Sequence, residues 1–181
     1  RYEEAYDVFY KAAWNSAWQD AAYLNLARIA TRRGDFEEAL ELINQSINRN
    51  YPSQTARHLK VTLLRKLNKR DEAKALLEES LALDKFNLGC LFEKYLILKH
   101  SPKAETSLEQ LRTLSRGYVH NFMAYAFDYA HAGLYAEASE ILSLSFITGK
   151  ETYPMVHYYL GYFAIKQNNT PEALSFFSKA A

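Results

Sequence analysis

The chain has 181 residues, 49% of them hydrophobic, which is ample for a core and excludes a disordered polar segment. Twenty-two Lys and Arg against 21 Asp and Glu leave a formal charge of +1, so no bulk basic field argues for nucleic acid or an anionic membrane, and charge-based recognition has to be local. The single Cys90 excludes an internal disulfide framework and fits a reducing, cytoplasmic compartment, and no run approaches the roughly 18 apolar residues that span a bilayer. The opening Arg1-Tyr2-Glu3-Glu4-Ala5 does not read as a secretory leader, and the abrupt ends lead us to expect a segment of a longer protein.

In chain order, residues 2–14 read as one amphipathic helix in which a small Ala5 is followed one turn later by Phe9. Trp14 and Trp18 flank the turn that follows and are expected to seal the first joint between repeats. A helix over 19–32 then leads through Gly34-Asp35 into a second over 35–49, where Ala39 and Ile43 repeat the small-then-large pair. Tyr51-Pro52 hands over to helices at 53–67 and 70–83, joined by Asn68-Lys69-Arg70-Asp71 and carrying Ala73 and Leu77. The next pair, 86–99 and 102–115, lacks the small anchor and about three residues of the period, although Ser101 as N-cap and Pro102 in the first turn should start its second helix well. Helices at 118–132 and 135–147, joined at Gly133, restore the pattern with Ala138 and Leu142. The last pair, 152–167 and 170–181, is joined by Asn168-Asn169-Thr170-Pro171 and carries Ala173 and Phe177.

The anchors recur at spacings of 34, 34, 65 and 35, so the chain is periodic, and the 65 divides into one full period and one shortened to about 31. A small residue is required where two helices cross closely, and the larger one a turn later fills the adjoining gap. Glu37-Glu38 and Glu78-Glu79 read as solvated helix surface.

This pattern resembles the tetratricopeptide repeat family. Gly34 through Pro52 fits the second half of its motif, and Tyr23-x2-Leu26-Ala27-x2-Ala30, Phe122-x2-Tyr125-Ala126-x2-Tyr129 and His157-x2-Leu160-Gly161-x2-Ala164 follow the first-half spacing with substitutions. The resemblance implies an all-α, right-handed α-solenoid of antiparallel helix pairs, about five pairs plus a leading helix. Residues 1–181 would form one array whose fourth repeat, near 84–118, is degenerate and could divide it into two sub-blocks. Arg57-His58-Leu59-Lys60 through Phe92-Glu93-Lys94-Tyr95-Leu96 is also similar to the helical-repeat part of large bacterial proteins that carry a β-rich domain of unknown function.

In the family the first helices line the concave face. The resemblance therefore places Leu24, Arg28 and Arg32, then His58, Thr62, Arg65 and Lys66, then Phe92, Lys99 and His100 on a groove. It continues with His120, Met123, Phe127 and His131, then Tyr158, Tyr162 and Lys166. A groove basic at one end and aromatic at the other implies a protein or peptide partner with an acidic portion and apolar anchors, or another domain of the same parent chain. The competing reading is that these side chains are scaffold. The same choice applies to the aromatic tail, where Tyr125, Phe127, Tyr129, Tyr135, Tyr158, Tyr159, Tyr162 and Phe163 could stack on sugars or bases but are expected to fill the space between helices.

The carboxylate clamp of chaperone-binding relatives is not matched, since Leu24, Arg28 and Leu59 stand where its Lys and Asn are expected and only Asn25 is a plausible polar counterpart. No catalytic constellation is visible: His120 and His131 lack a companion ligand, Cys90 lacks a base nearby in sequence, and no Gly-rich phosphate loop occurs. We therefore expect no enzyme, no cofactor and no metal. An interaction scaffold is expected first, an accessory module of a multidomain bacterial carbohydrate-linked protein second, and an RNA-binding helical array third. Neither nucleic acid nor a membrane is an expected partner. Leu174, Phe176 and Phe177 on the last helix leave an apolar end through which the chain could self-associate.

Overall fold

The computed structural model describes residues 2–148 and 153–181, and among them the regular elements are all helices. In order they are α1 (Tyr2–Ala12), α2 (Gln19–Arg33), α3 (Phe36–Arg49), α4 (Gln54–Lys66), α5 (Arg70–Leu83), α6 (Leu88–Leu98) and α7 (Ala104–Ser115). There follow α8 (Val119–His131), α9 (Tyr135–Ser143), a 3-10 turn at Leu144–Thr148, α10 (Pro154–Lys166) and α11 (Thr170–Ala180). The chain divides into two compact units, Arg1–Glu109 and Gln110–Ala181, with the limit inside α7.

In the first unit each of α1 to α5 packs on the helix that follows it, and α4 also packs on α6. In the second, α8 packs on α9, α9 on α10 and α10 on α11, while the 3-10 turn covers parts of α8 and α9. The anchor positions explain the pairing. Ala39, Ile43, Ala73, Ala138, Leu142 and Ala173 are all fully buried, whereas Ala5 and Phe9 on α1 remain partly exposed because that helix packs broadly only on α2.

The turns inside the pairs α2/α3, α4/α5, α8/α9 and α10/α11 share one geometry. Gly34, Asn68, Gly133 and Asn168 adopt φ of 90°, 57°, 78° and 60°, the left-handed region that Gly and Asn tolerate best. After each, the next N–H reaches back to a carbonyl of the helix just ended: Asp35 to Ala30 and Lys69 to Leu64 at 3.0 and 2.9 Å, Leu134 to Tyr129 and Asn169 to Ala164 at 2.9 Å each. That bond satisfies a terminal carbonyl and fixes the angle at which the second helix leaves.

Four expectations need correction. Ser101 and Pro102 lie in a turn before α7 and not in its first turn: the Lys103 N–H donates to Ser101 Oγ at 3.3 Å and the Ala104 N–H to the Ser101 carbonyl at 3.1 Å, so the helix begins two residues later. The helix expected over 135–147 tightens to 3-10 geometry after Ser143, where Ser145 Oγ donates to the Leu142 carbonyl at 2.7 Å. Trp14 and Trp18 do not seal a joint, being 76% and 63% exposed, and Trp14 meets Tyr10 edge-on at 6.5 Å. Finally, α10 starts with Pro154 in its first turn, while the expected start at Thr152 lies outside the described residues.

Enlarging an anchor should discriminate tight from open joints. Ala39→Leu is expected to destabilise the fold by about 1–3 kcal/mol through overpacking. Ala5→Leu should stay within about 0.5 kcal/mol, both read from the midpoint of urea denaturation.

Candidate functional site

The side chains that the sequence places on the groove are distributed over both units. At the start of the first unit, Arg28 Nη1 reaches Asn25 Oδ1 at 3.5 Å, a long contact within α2. Arg32 lies over the Tyr2 ring at 4.7 Å, and the adjacent Arg33 lies over Tyr6 at 4.6 Å while pairing with Glu3 at 2.5 Å. The Tyr6 hydroxyl donates to Glu38 at 2.6 Å, and that hydrogen bond, more than burial, pushes its pKa up to about 12. The end of α2 is thus occupied with holding α1, and Arg32 takes part in that packing.

Further along, Arg65 makes two charge-assisted bonds to Glu93 of α6, at 2.6 and 3.1 Å, and Glu93 is fully buried. Thr62 Oγ1 stands 3.0 Å from the same carboxylate and 3.0 Å from the His58 carbonyl. His58 and Phe92 are themselves buried. Three groove assignments change here: His58 and Phe92 are buried, and Arg65 is engaged by Glu93, tying α4 to α6. Lys66 is half-buried, and Lys99 is exposed with its ammonium 5.9 Å from the Tyr95 ring.

A buried cation, Arg57, escaped the periodic reading. The Arg57 side chain is 0% exposed, pairs with Glu79, donates from Nε to Ser80 Oγ at 3.0 Å and from Nη1 to the Tyr51 carbonyl at 3.2 Å, and lies over the Tyr51 ring at 4.7 Å. The Tyr51 hydroxyl also donates to Glu79, and this bond, followed by that from Arg57, holds the Glu79 carboxyl below its ordinary pKa. Asp20 is likewise lowered, by the side-chain bond from Asn50 at 2.7 Å. Nothing in a helical period announces such partners, because they come from neighbouring helices at unrelated positions.

In the second unit, Met123 and Phe127 are partly buried and Phe127 meets Tyr159 edge-on at 4.5 Å, while His131 is exposed. Tyr158 and Tyr162 behave differently. They are 51% and 39% exposed and lie in one row along α10 with exposed Met155 and Ile165, and Lys166 stands 5.3 Å over the Tyr162 ring. The opposite side of α10 is buried through Val156, Leu160, Phe163 and Ala164. At Gly161 a Cβ would come within 2.6 Å of the Phe177 ring, so the missing side chain is what lets α11 approach. Of the last helix's apolar residues Leu174 is exposed, but Phe177 packs on Tyr158 at 5.9 Å and Phe176 stacks on His157 at 6.2 Å, which uses much of the end expected to lie open.

Among the described residues, no group of three His, Cys, Asp or Glu side chains is placed to hold a metal ion, and no helix is long and apolar enough to cross a membrane. His120 lies edge-on to Tyr153 at 5.8 Å. Cys90 is buried, and burial with the nearby Glu93 charge pushes its thiol up to about 12, so it stays protonated and unreactive.

Residues 21–45 match the tetratricopeptide repeat family model. Among solved structures, a tetratricopeptide repeat protein from Parabacteroides merdae ATCC 43184 superposes with a TM-score of 0.60 at 19% identity, over 99% of this chain and 71% of that one. TTC0263 from Thermus thermophilus, a thermophilic protein of this kind, gives 0.52 at 19% identity over 89% of each chain. YrrB, a TPR protein with an unusual peptide-binding site, gives 0.51 at 19% identity over 95% of this chain and 90% of that one. Residues 21–45 are therefore similar to a tetratricopeptide repeat, and the fold of the chain is the all-α helix-pair fold of these solved structures.

Removing the carboxylate in Glu93→Ala strands Arg65 and Thr62 and should cost about 3 kcal/mol in urea denaturation. The depressed Asp20 and Glu79 carboxyls contribute stability that is fully present above their unfolded pKa, about 4, and lost as pH falls through the folded values. The denaturation midpoint should accordingly drop as pH falls below about 5, and Glu79→Gln should flatten part of that drop; His157, whose pKa burial lowers, adds an earlier loss that begins near its unfolded value of about 6.5.

Proposed function

We propose that the chain is a non-catalytic interaction scaffold that holds a peptide, or a neighbouring domain of its own parent protein, against the first helices of its repeats. The observation that carries this reading is the row on α10: Met155, Tyr158, Tyr162 and Ile165 stand exposed on a helix whose other side is core. Large aromatic side chains left in water gain most when a partner covers them, and they supply the anchors of many interfaces. Lys166, beside Tyr162, adds a place for a carboxylate of the partner. YrrB, which has a peptide-binding site on a similar fold, supports the same class of function.

The remaining candidates divide by unit. In the first, Arg28, Lys66 and Lys99 are the basic side chains that an acidic segment would meet. In the second, Met123, Phe127 and His131 on α8 would extend a surface centred on Tyr158 and Tyr162. The reading assigns the chain no cofactor and no catalytic residue.

A peptide array probed with the wild-type chain and with Tyr158→Ala/Tyr162→Ala tests this directly. Binding of the captured peptides should fall at least about tenfold, with circular dichroism checking that the helices survive loss of the Tyr158–Phe177 and Tyr135–Tyr162 ring contacts. Binding that survives the double substitution overturns the α10 surface as the docking site.

A further inference from the structure

The second unit has another concave feature, on the opposite side of α10 from the exposed tyrosine row. A cleft of about 460 Å3 opens between α9 and α11, with α10 as its floor. Leu144, Leu160, Ala164 and Phe176 give it an apolar bottom, and Ala136, Ser139, Glu140 and Ser143 form the α9 wall. At about 100° per residue, Leu160, Ala164 and Gln167 lie on one side of α10 and Tyr158, Tyr162 and Ile165 on the other, so one helix serves two separate surfaces.

The walls are firm. Gln167 Nε2 donates to Ser139 Oγ at 3.2 Å and to the Tyr135 carbonyl at 3.3 Å, tying α10 to α9. Phe176 stacks on His157 at 6.2 Å, and His157 on Phe146 at 5.1 Å, which braces the other end. Small side chains at Ala136, Ser139 and Ser143 leave the α9 backbone accessible to close approach. The charge is one-sided: among the described residues Glu140 and Glu172 line the cleft and no Lys or Arg does. Glu172 accepts from Asn169 Nδ2 at 2.6 Å, which orients one carboxylate oxygen and leaves its acceptor capacity only partly used. Lys179 sits beyond this lining, 5.6 Å over the Phe176 ring and seven residues along α11 from Glu172.

We propose that this cleft is a second docking site, and that its occupant is a short peptide segment in which Leu, Ile, Met or Phe enters the apolar floor and an adjacent Arg or Lys meets Glu140 and Glu172. The volume admits two or three such apolar side chains, and an acidic rim over an apolar floor selects a basic flank over an acidic one. A partner on the tyrosine row, beside Lys166, would carry the opposite charge, so the two surfaces would distinguish their ligands electrostatically.

Panning a phage-displayed library of random twelve-residue peptides on the whole chain tests the site. The expected outcome is enrichment of sequences with Arg or Lys within two positions of a large apolar residue. Binding of the corresponding synthetic peptide should fall about tenfold in Glu140→Gln/Glu172→Gln and lose its salt dependence. The Gln at position 172 keeps the hydrogen-bonding capacity of that helix start, so circular dichroism should confirm an intact fold. Ser139→Phe, which fills the cleft from its rim, should abolish binding. Failure to enrich basic-apolar sequences, or binding that is indifferent to both variants, overturns the proposal, as does loss of the same peptides from Tyr158→Ala/Tyr162→Ala alone.

Discussion

Each complete helix pair in the two units depends on a close crossing that tolerates a methyl group and little more. Ala39, Ala73, Ala138 and Ala173 lie at these crossings with no exposed surface, and a larger residue one turn on fills the space beside them. Close approach fixes the distance between helices, and the left-handed residue at the turn fixes their direction. Gly34 and Gly133 take that conformation without cost from a Cβ, while Asn68 and Asn168 take it at small cost. The two constraints act together, since an anchor in the wrong register would leave the next helix directed away from its partner. At α10 and α11 the same logic reaches its limit in Gly161, where even a methyl group would meet the Phe177 ring.

Apolar packing alone would let neighbouring helices slide. In the first unit two cations, Arg57 buried and Arg65 partly so, oppose this, because Arg57 finds Glu79, Ser80 and the Tyr51 carbonyl, and Arg65 finds Glu93, only in one alignment. Ion pairs of this kind add little net stability, since desolvating the charges offsets much of their attraction. Their effect is to make any other register expensive. The second unit uses rings instead: Tyr135, Tyr159, Tyr162 and Phe163 meet one another and Phe127 at 4.5 to 6.5 Å, mostly edge-on or tilted.

The helices and their pairing were legible in the sequence because both follow from local rules. A period of about 34 located the anchors, and Gly34, Asn68, Gly133 and Asn168 marked the turns at which the structure places left-handed residues. What a side chain meets across a helix boundary was not legible. The family resemblance assigns Arg32, His58, Arg65 and Phe92 to one kind of helix face, but Tyr2 comes from the preceding helix and Glu93 from a helix two further on. The misplaced tryptophans have the same origin. Size and aromaticity suggested a seal for Trp14 and Trp18, yet sealing needs an opposing surface, and composition does not say whether one is present.

That difference bears on where recognition can occur. A cation already paired and stacked inside the protein has surrendered its hydration and satisfied its donors, so a ligand carboxylate would have to displace an existing partner to use it. Arg57 and Arg65 are in that position, engaged by Glu79 and by Glu93. Tyr158 and Tyr162 are not: half of the first ring and more than a third of the second still contact water, and covering them requires no internal bond to break. The side chains that resemble a ligand groove most closely by charge are therefore the poorer candidates, and the row of Tyr158 and Tyr162 keeps the apolar area that the function proposed above needs.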